Sequence, residues 1–272
     1  MQLKVLPSFF IPSVISRSNS KSIFRFKCTG DEFATSKVRL PLTTQKGDAP
    51  SERSNTWILM AIYMLNLHIP FGVGGLSMAS YILQKPALDP QTQAISLLVF
   101  QIIELTGSYI LFNSNLKHTE EGDVSEGRNW VLASAVGFFA VLISVSFISV
   151  VDETFGLKEV SNSNVVKEML SSSAIGRSAC VMVYCFVTPL LEELIYRRFL
   201  LKSLSSTMSW QKAVLISSLV FSAAHFSREN FVYLLAIGYV LGCCYCWTGR
   251  VVAPFSIHSL YNALILIISN FS

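Results

Sequence analysis

Long, continuous runs of apolar residues recur along the chain from Trp57 to the C-terminus. A helix needs about 20 such residues to cross the hydrocarbon core of a bilayer, because it rises about 1.5 Å per residue. None of the runs alternates as a strand does, so we expect helices. The predicted fold class is an all-α, polytopic transmembrane helical bundle of about seven spans, near 56–83, 91–112, 129–151, 175–200, 210–226, 231–248 and 252–271.

The composition supports a lipid bilayer as the main surrounding of the chain. Of its 272 residues, 51% are hydrophobic and only 14% are charged, whereas soluble domains carry about 25% charged residues. The mean hydropathy is +0.50. The net charge of +4 forms no basic stripe with interleaved aromatic residues, so nucleic acid is not an expected partner. The sequence does not indicate an oligomeric state.

The first thirty residues differ in composition from the rest. They contain no Asp or Glu, but they carry five Lys or Arg residues and several serines. Acid-poor, basic and Ser-rich segments are typical of organelle transit peptides. We predict a disordered plastid transit peptide at 1–30, followed by a polar linker at 31–55, and therefore a chloroplast membrane, thylakoid or inner envelope. A disordered basic tail is the alternative.

The remaining chain divides by its pattern into three parts. Residues 56–151 form the N-terminal transmembrane helices, with a kink expected near Pro70 and the glycines that follow it. Residues 152–173 mix apolar and charged positions, which is typical of an amphipathic loop or an interfacial helix. Residues 174–272 are the C-terminal helices, which contain most of the ionisable residues that fall inside apolar runs.

An acidic pair interrupts the apolar run that begins near residue 175. An ionisable residue inside a span costs about 2.5–3.5 kcal/mol on insertion scales, so it indicates a partner or a function. Arg197 lies four residues after Glu193, on the same side of a helix, and can pair with it. Glu192 is then turned about 100° away and can face a cavity. The alternative is that both acids lie at a helix end and reach water beside Arg198 and Lys202.

Two histidines and an asparagine lie in the following spans. Helical rise from the turn near 205–209 places Glu192 and His225 about 22 and 27 Å from that turn, so they can face each other. His258 and Asn262 are four residues apart and share one face of the last span. His258 reaches the same depth only if the helix of Glu192 extends beyond the membrane. Packing between helices is the alternative role for each of these polar side chains.

Three motifs in this region together resemble the CAAX prenyl protease and bacteriocin-processing family of membrane proteases, also called the ABI family. They are EExxxR at 192–197, FxxxH at 221–225 and HxxxN at 258–262. The resemblance covers about 175–265 and implies that 174–272 are the catalytic helices of a CAAX protease-like domain. The chain departs from the family pattern at Arg198, where Gly is usual, and at Tyr196, where Phe is common.

The resemblance implies an intramembrane endopeptidase that acts on a peptide or a membrane protein. Glu192 would activate water together with His225, while His258 and Asn262 would stabilise the oxyanion. Two histidines and a carboxylate also suit zinc, so a metalloendopeptidase that binds a divalent metal through Glu192, His225 and His258 remains open. Otherwise no cofactor is expected. The catalytic residues expected by resemblance are Glu192, Glu193, Arg197, His225, His258 and Asn262.

Two other classes of protein are compatible with polar groups buried in helices. A non-proteolytic scaffold or chaperone would keep the fold and use the polar cavity to hold a partner. An ion- or proton-coupled transporter would use the carboxylates and histidines as a relay, and Glu104 in the second span mildly favours it. However, the two repeated halves that are common in such transporters are not visible in the sequence.

Overall fold

The computed structural model describes residues 49–117, 129–155 and 165–271, and in the first range it describes side chains from 55 to 112. Within these ranges all regular structure is helical. The elements are α1 (Ala49–Tyr63), a wide π-helical continuation of α1 (Met64–Val73), α2 (Gly75–Ile82), α3 (Pro90–Lys117), α4 (Trp130–Phe155), α5 (Val165–Ser171), α6 (Ala174–Ser205), α7 (Trp210–Ala224), α8 (Phe231–Thr248) and α9 (Val252–Phe271).

Six segments in the described ranges are long and apolar enough to cross a membrane, which confirms a multi-pass helical membrane protein. They are Asn55–Val73, α3, α4, α6, α8 and α9. The remaining predicted span, 210–226, is the helix α7, which has only 15 residues. At 1.5 Å per residue it is about 22 Å long, shorter than the hydrocarbon core. The chain therefore turns at His225 before a full crossing.

The N-terminal part shows the expected break and an earlier start. Helix α1 begins at Ala49, inside the predicted linker 31–55, and α2 follows after a kink at Gly74. Pro70 has no N–H to donate within a helix, and the turn around it widens so that Gly74 N–H donates to Ile69 O at 2.8 Å. The predicted transit peptide lies outside the described residues, as do 31–48 of the linker.

The predicted amphipathic segment 152–173 is described only in part. Its first residues complete α4, and its last residues form the short helix α5, while 156–164 lie outside the described ranges. Val166, Met169 and Leu170 of α5 are buried, so this helix packs against the bundle through an apolar face. The helix α5 is thus apolar on one side, while its position at a membrane interface stays a prediction.

Local sequence explains several helix ends. Asp89 precedes α3, and its carboxylate accepts hydrogen bonds from Thr92 N–H at 3.0 Å and from the Thr92 hydroxyl at 2.8 Å. These two bonds lower the pKa of Asp89, because they stabilise its charged form. Ser173 caps α6 by accepting from Gly176 N–H at 3.1 Å. Gly249 ends α8 with φ 67°, a left-handed conformation that glycine adopts readily.

The C-terminal helices pack closely through small residues, as is usual for helices in a bilayer. A Cβ atom added at Gly137 of α4 would lie 2.5 Å from the Ile257 side chain of α9. A Cβ atom added at Gly238 of α8 would lie 3.0 Å from the Phe221 ring of α7. These close approaches hold α9 against α4 and α8 against α7.

Candidate active site

Glu192 lies on α6 and faces one histidine from each of two other helices. Its Oε1 is 3.5 Å from His225 Nε2 at the end of α7, and its Oε2 is 3.6 Å from His258 Nε2 on α9. Both distances exceed an ordinary hydrogen bond. The side chain of Glu192 is 11% exposed and that of His225 is 25% exposed. The predicted convergence of three helices on Glu192 is therefore present in the structure.

Glu193, the next residue of α6, is fully buried, with 0% exposure. Its Oε1 lies 3.1 Å from Arg197 Nη1, which confirms the predicted i, i+4 pair. The same oxygen lies 3.0 Å from His258 Nδ1, a contact that the sequence did not predict. The alternative that both acids lie at an exposed helix end is wrong, because Arg197 is also only 1% exposed.

Arg197 is held by three contacts inside the bundle. Besides Glu193, its Nη2 donates to Gly238 O at 3.4 Å. Its guanidinium carbon lies 4.6 Å from the centre of the Phe221 ring, a cation–π geometry. The Phe221 ring also contacts the rings of His225 and His258, with centroids 4.8 and 6.2 Å away. Phe221 therefore packs at the centre of the cluster, on the same helical face as His225, as predicted.

Hydrogen bonds to Nδ1 fix which ring nitrogen each histidine turns toward Glu192. His225 Nδ1 lies 2.8 Å from the Phe221 carbonyl, which can only accept, so Nδ1 carries the proton. His258 Nδ1 faces Glu193, whose carboxylate is paired with Arg197, so Nδ1 donates there as well. A neutral ring then turns its Nε2 lone pair toward Glu192, whereas a ring with both nitrogens protonated turns an Nε2–H toward it. The site can accept protons at three atoms within a few ångströms.

Asn262 is placed beside a carbonyl that the backbone leaves without a donor. The helix widens at Val183–Val187, where Thr188 N–H donates to Val183 O instead of Tyr184 O. Pro189 has no N–H, so it cannot donate a hydrogen bond to Tyr184 O either. Asn262 Nδ2 donates to Tyr184 O at 2.8 Å and satisfies it. This contact orients the Asn262 amide, which has a second N–H to offer.

The two positions that depart from the family pattern differ in their surroundings. Tyr196 is 1% exposed and its ring meets Phe221 edge-on at 5.2 Å. Its hydroxyl has no hydrogen-bond partner among the described residues. Arg198 is only partly exposed and lies near the end of α6. Neither residue displaces Glu192, His225 or His258.

A second polar cluster lies next to this site, and sequence analysis found only one of its members. Glu104, which was assigned no catalytic role, contacts His68 and Tyr63 of the first span. His68 was missed, although a histidine two residues before Pro70 in an apolar segment was a signal that could have found it. The two clusters meet at Ala224, whose carbonyl lies 3.1 Å from His68 Nε2.

The donor types around Glu192 suit a divalent metal. Each histidine also donates Nδ1–H to a carbonyl or carboxylate, which is the usual arrangement for a ligating imidazole. However, in the ranges that the structure describes, no three His, Cys, Asp or Glu side chains are grouped closely enough to hold an ion. The positions of the described side chains thus do not form a ready metal site.

An embedded carboxylate with two imidazoles, on helices that span a bilayer, defines a candidate membrane hydrolase. Residues 175–264 match the family model described as Type II CAAX prenyl endopeptidase Rce1-like. The chain is 28% identical over 185 residues to the membrane-embedded CAAX protease MroQ of Staphylococcus aureus (strain USA300), covering 64% of this chain and 72% of MroQ.

The chain is also similar to the putative membrane peptidase YdiL of Bacillus subtilis (strain 168). The two are 24% identical over 154 residues, covering 56% of this chain and 60% of YdiL. No solved structure matches the chain at a significant level. The family match and the two bacterial relatives support the CAAX protease family and a membrane peptidase.

Proposed function

We propose that the protein is an intramembrane endopeptidase in which Glu192 activates water for peptide hydrolysis. The single observation that carries this proposal is the placement of Glu192 between two Nε2 atoms, at 3.5 and 3.6 Å, inside a helical membrane bundle. A carboxylate that neither imidazole approaches within an ordinary hydrogen-bond distance is free to take a proton from a third group. The similarity to a CAAX protease and to a putative membrane peptidase supports the same activity.

In the proposed reaction a water molecule gives one proton to Glu192 as its oxygen attacks the substrate carbonyl carbon. His225 Nε2 accepts a hydrogen bond from the second O–H of the water and orients it. His225 is itself fixed because its Nδ1–H is held by the Phe221 carbonyl. The proton taken by Glu192 is then returned to the leaving amine when the C–N bond breaks, so Glu192 ends the cycle ionised.

The oxyanion would be stabilised by His258 and Asn262. His258 can donate from Nε2 only when both ring nitrogens carry protons, since Nδ1–H is directed to Glu193. The Glu193 carboxylate supports that charged ring, and Arg197 keeps Glu193 in place. The free N–H of the Asn262 amide would add a second donor. Fixed donors of this kind are each worth about 2.7–4 kcal/mol in a dry site.

The location and the substrate class are also proposals. The acid-poor, basic N-terminal segment supports import into a plastid and a chloroplast membrane, thylakoid or inner envelope. The substrate would be a peptide bond in or near the bilayer, because Glu192 lies within a span. The name of the matched family model makes a prenylated CAAX peptide the first substrate to try.

The proposal is tested by comparing peptide termini in membranes that contain wild-type protein or Glu192→Gln at equal amounts. Glutamine keeps the shape of the side chain but does not accept a proton at neutral pH. We expect at least one membrane protein to change length between the two samples. A matched control is Glu153→Gln, which changes the same chemical group at the end of α4, away from the site.

The rival functions give different outcomes in the same comparison. A scaffold predicts that Glu192→Gln leaves every membrane protein at its original length, while partners are still retained. A transporter predicts a change in ion or proton flux in vesicles with no new peptide termini. Either result, with Glu192→Gln accumulating normally, would overturn the peptidase proposal.

A metal-dependent version of the reaction is a second proposal for the same residues. Zinc would be held by Glu192, His225 and His258, and it would supply a more acidic bound water. Metal content and activity would be measured on wild type and His258→Ala purified without chelators. Stoichiometric zinc that is lost in the variant would support this version. Active wild-type protein with only trace metal would overturn it.

A further inference from the structure

Glu104 of α3 is a fully buried carboxylate that the proposed reaction does not use. It is 0% exposed. Its Oε1 accepts from the Tyr63 hydroxyl at 2.7 Å, and its Oε2 accepts from Gln101 Nε2 at 3.2 Å. The orientation of Gln101 follows from Thr188 of α6, whose hydroxyl donates to Gln101 Oε1 at 3.2 Å. Each of the two oxygens of Glu104 therefore accepts a hydrogen bond from a neighbouring side chain.

The partners of His68 determine its protonation. His68 Nε2 lies 3.1 Å from the carbonyl of Ala224, which can only accept, so Nε2 carries a proton. His68 Nδ1 lies 2.9 Å from Glu104 Oε1 and 3.1 Å from the Tyr63 hydroxyl. The Tyr63 hydroxyl directs its single proton to Glu104 Oε1, at the shorter distance of 2.7 Å, and this leaves Nδ1 to donate to the carboxylate. A ring with two protonated nitrogens is an imidazolium. His68 and Glu104 thus form a buried ion pair with no net charge.

The position of His68 adds to this conclusion. Ala224 is the last residue of α7, and the final carbonyls of a helix have no donors within it. The C-terminal end of a helix also carries partial negative charge, which favours a cation beside it. His68 supplies both a donor and a positive charge at this end. The next residue, His225, is one of the two imidazoles that face Glu192.

The same cluster contacts the helix of Glu192. Thr188 lies four residues before Glu192, on the same face of α6, and is tied to Glu104 through Gln101. The His68–Glu104 pair is therefore linked to both helices that carry the Glu192–His225 contact. It is linked to α6 through Gln101 and Thr188, and to α7 through the Ala224 carbonyl. Its own residues lie in the first two spans, outside the matched segment 175–264.

We infer that the His68–Glu104 ion pair positions the end of α7 against α6 and so sets the distance between His225 and Glu192. The effect of this pair on hydrolysis rests on the proposed peptidase function. The existence of the ion pair does not depend on that function. The ionisable groups that face His68 are Tyr63 of α1 and Glu104 of α3, with Glu192 of α6 and His225 of α7 at longer range.

The ion pair is tested by nitrogen-15 NMR of histidine-labelled full-length protein in detergent. The chain has four histidines, and His68→Gln and His225→Asn assign the two signals of interest. At about pH 8, where a free imidazole is neutral, we expect the His68 signal to be that of an imidazolium in wild type. In Glu104→Gln it should become neutral. A neutral His68 signal in the wild-type protein would overturn the inference.

The positioning role is tested on the same samples. In Glu104→Gln we expect the His225 signal to shift, and kcat for an internally quenched farnesylated peptide to fall about ten- to a hundredfold with KM nearly unchanged. Thr106→Ala, two residues away on the outer face of α3, should change neither. An unshifted His225 signal in Glu104→Gln would overturn the role. If the wild-type protein cleaves no peptide, the peptidase proposal fails. The NMR signals of His68 and His225 still test the ion pair and its positioning role in that case.

A double substitution separates pairing from simple packing. His68→Gln leaves Glu104 buried without a cation, so the thermal midpoint in detergent should fall. Adding Glu104→Gln removes that charge, and the double variant should recover much of the loss. If the fall in thermal midpoint of the double variant equals the sum of the falls in the two single variants, the substitutions cause two independent packing defects. That result would contradict an ion pair.

Discussion

Glu104 and Glu192 are both carboxylates inside a membrane bundle, yet their surroundings are opposite. Glu104 has no exposed surface and accepts hydrogen bonds from Tyr63 and Gln101 at 2.7 and 3.2 Å, with His68 at 2.9 Å. The side chain of Glu192 is 11% exposed, and its two nearest imidazole nitrogens, at 3.5 and 3.6 Å, lie beyond an ordinary hydrogen bond. A carboxylate with all its acceptor sites filled holds helices together, whereas one without donors is available for chemistry.

Glu193 sharpens this contrast because it neighbours Glu192 in the chain and, like Glu104, is fully buried beside a cationic side chain. It is fully buried, paired with Arg197 at 3.1 Å and in contact with His258 at 3.0 Å. A single helical step therefore separates a structural carboxylate from the proposed reactive one. The comparison predicts that substitutions around Glu104 and Glu193 lower stability first, and that substitutions around Glu192 lower activity first.

The largest expected effect on stability is that of Arg197→Met. It leaves Glu193 buried without its cation, and breaking a buried pair from one side costs about 3–5 kcal/mol. Thermal unfolding in detergent measures the loss. Lys212→Met is the control, because Lys212 is exposed at the start of α7. Equal stability of the two variants would mean that Glu193 does not depend on Arg197.

The next largest effect is expected for Asn262→Ala, and it should appear in activity. Removing one oxyanion donor lowers kcat about 10²–10³-fold, while the unsatisfied Tyr184 carbonyl lowers stability by about 1–3 kcal/mol. Asn66→Ala is matched, since Asn66 also donates to a helix carbonyl, at 3.0 Å, but on an exposed face. If Asn262→Ala loses only stability, Asn262 anchors a helix and takes no part in the reaction.

A smaller effect is expected for Gly72→Ala. A Cβ atom there would lie 2.8 Å from Glu104 Oε2 and 3.0 Å from His68 Nδ1. The added methyl group must displace the pair, so we expect a loss of about 1–3 kcal/mol on thermal unfolding. In Gly75→Ala the new atom would meet Phe100 at 3.4 Å, close to an ordinary contact. A Gly72→Ala protein as stable as Gly75→Ala would show that the Glu104 cluster is loosely held.

The smallest effect is expected for Tyr196→Phe. The Tyr196 hydroxyl is buried and has no hydrogen-bond partner in the described part of the chain, so its removal should be nearly neutral or slightly stabilising. Tyr63→Phe removes a hydroxyl that donates to Glu104 at 2.7 Å and should cost about 1.5–3 kcal/mol. Unfolding measurements on the two variants compare a free hydroxyl with a bound one. A large loss from Tyr196→Phe would reveal a role that the structure does not show.

The helical membrane fold and the main contacts of Glu192 could be predicted from the sequence, because apolar length and i, i+4 spacing are local properties of a helix. The Glu193–Arg197 pair is an example. The wide turn at Val183–Val187 has no comparable local signal, and it was not predicted. This turn leaves the Tyr184 carbonyl without a backbone donor. The hydrogen bond from Asn262 to that carbonyl therefore could not be predicted from the sequence.

Contacts between residues that lie far apart in the chain also could not be predicted from the sequence. His68 and Glu104 lie on separate helices. The contact between His68 and the Ala224 carbonyl joins residues that are 156 positions apart in the chain. No spacing rule relates such positions, and only the packed structure brings them together. The same applies to the contact between His258 and Glu193, which determines the ring nitrogen that His258 turns toward Glu192.

The central claim is that Glu192 serves chemistry rather than stability, and one paired measurement on Glu192→Gln tests it most directly. Cleavage of the quenched farnesylated peptide and the thermal midpoint in detergent would be recorded on the same preparation. The account predicts that cleavage is lost while the midpoint is unchanged or higher, since both imidazoles lie beyond an ordinary hydrogen bond from Glu192. Retained cleavage with a lowered midpoint would contradict it and would assign Glu192 to the framework of the bundle.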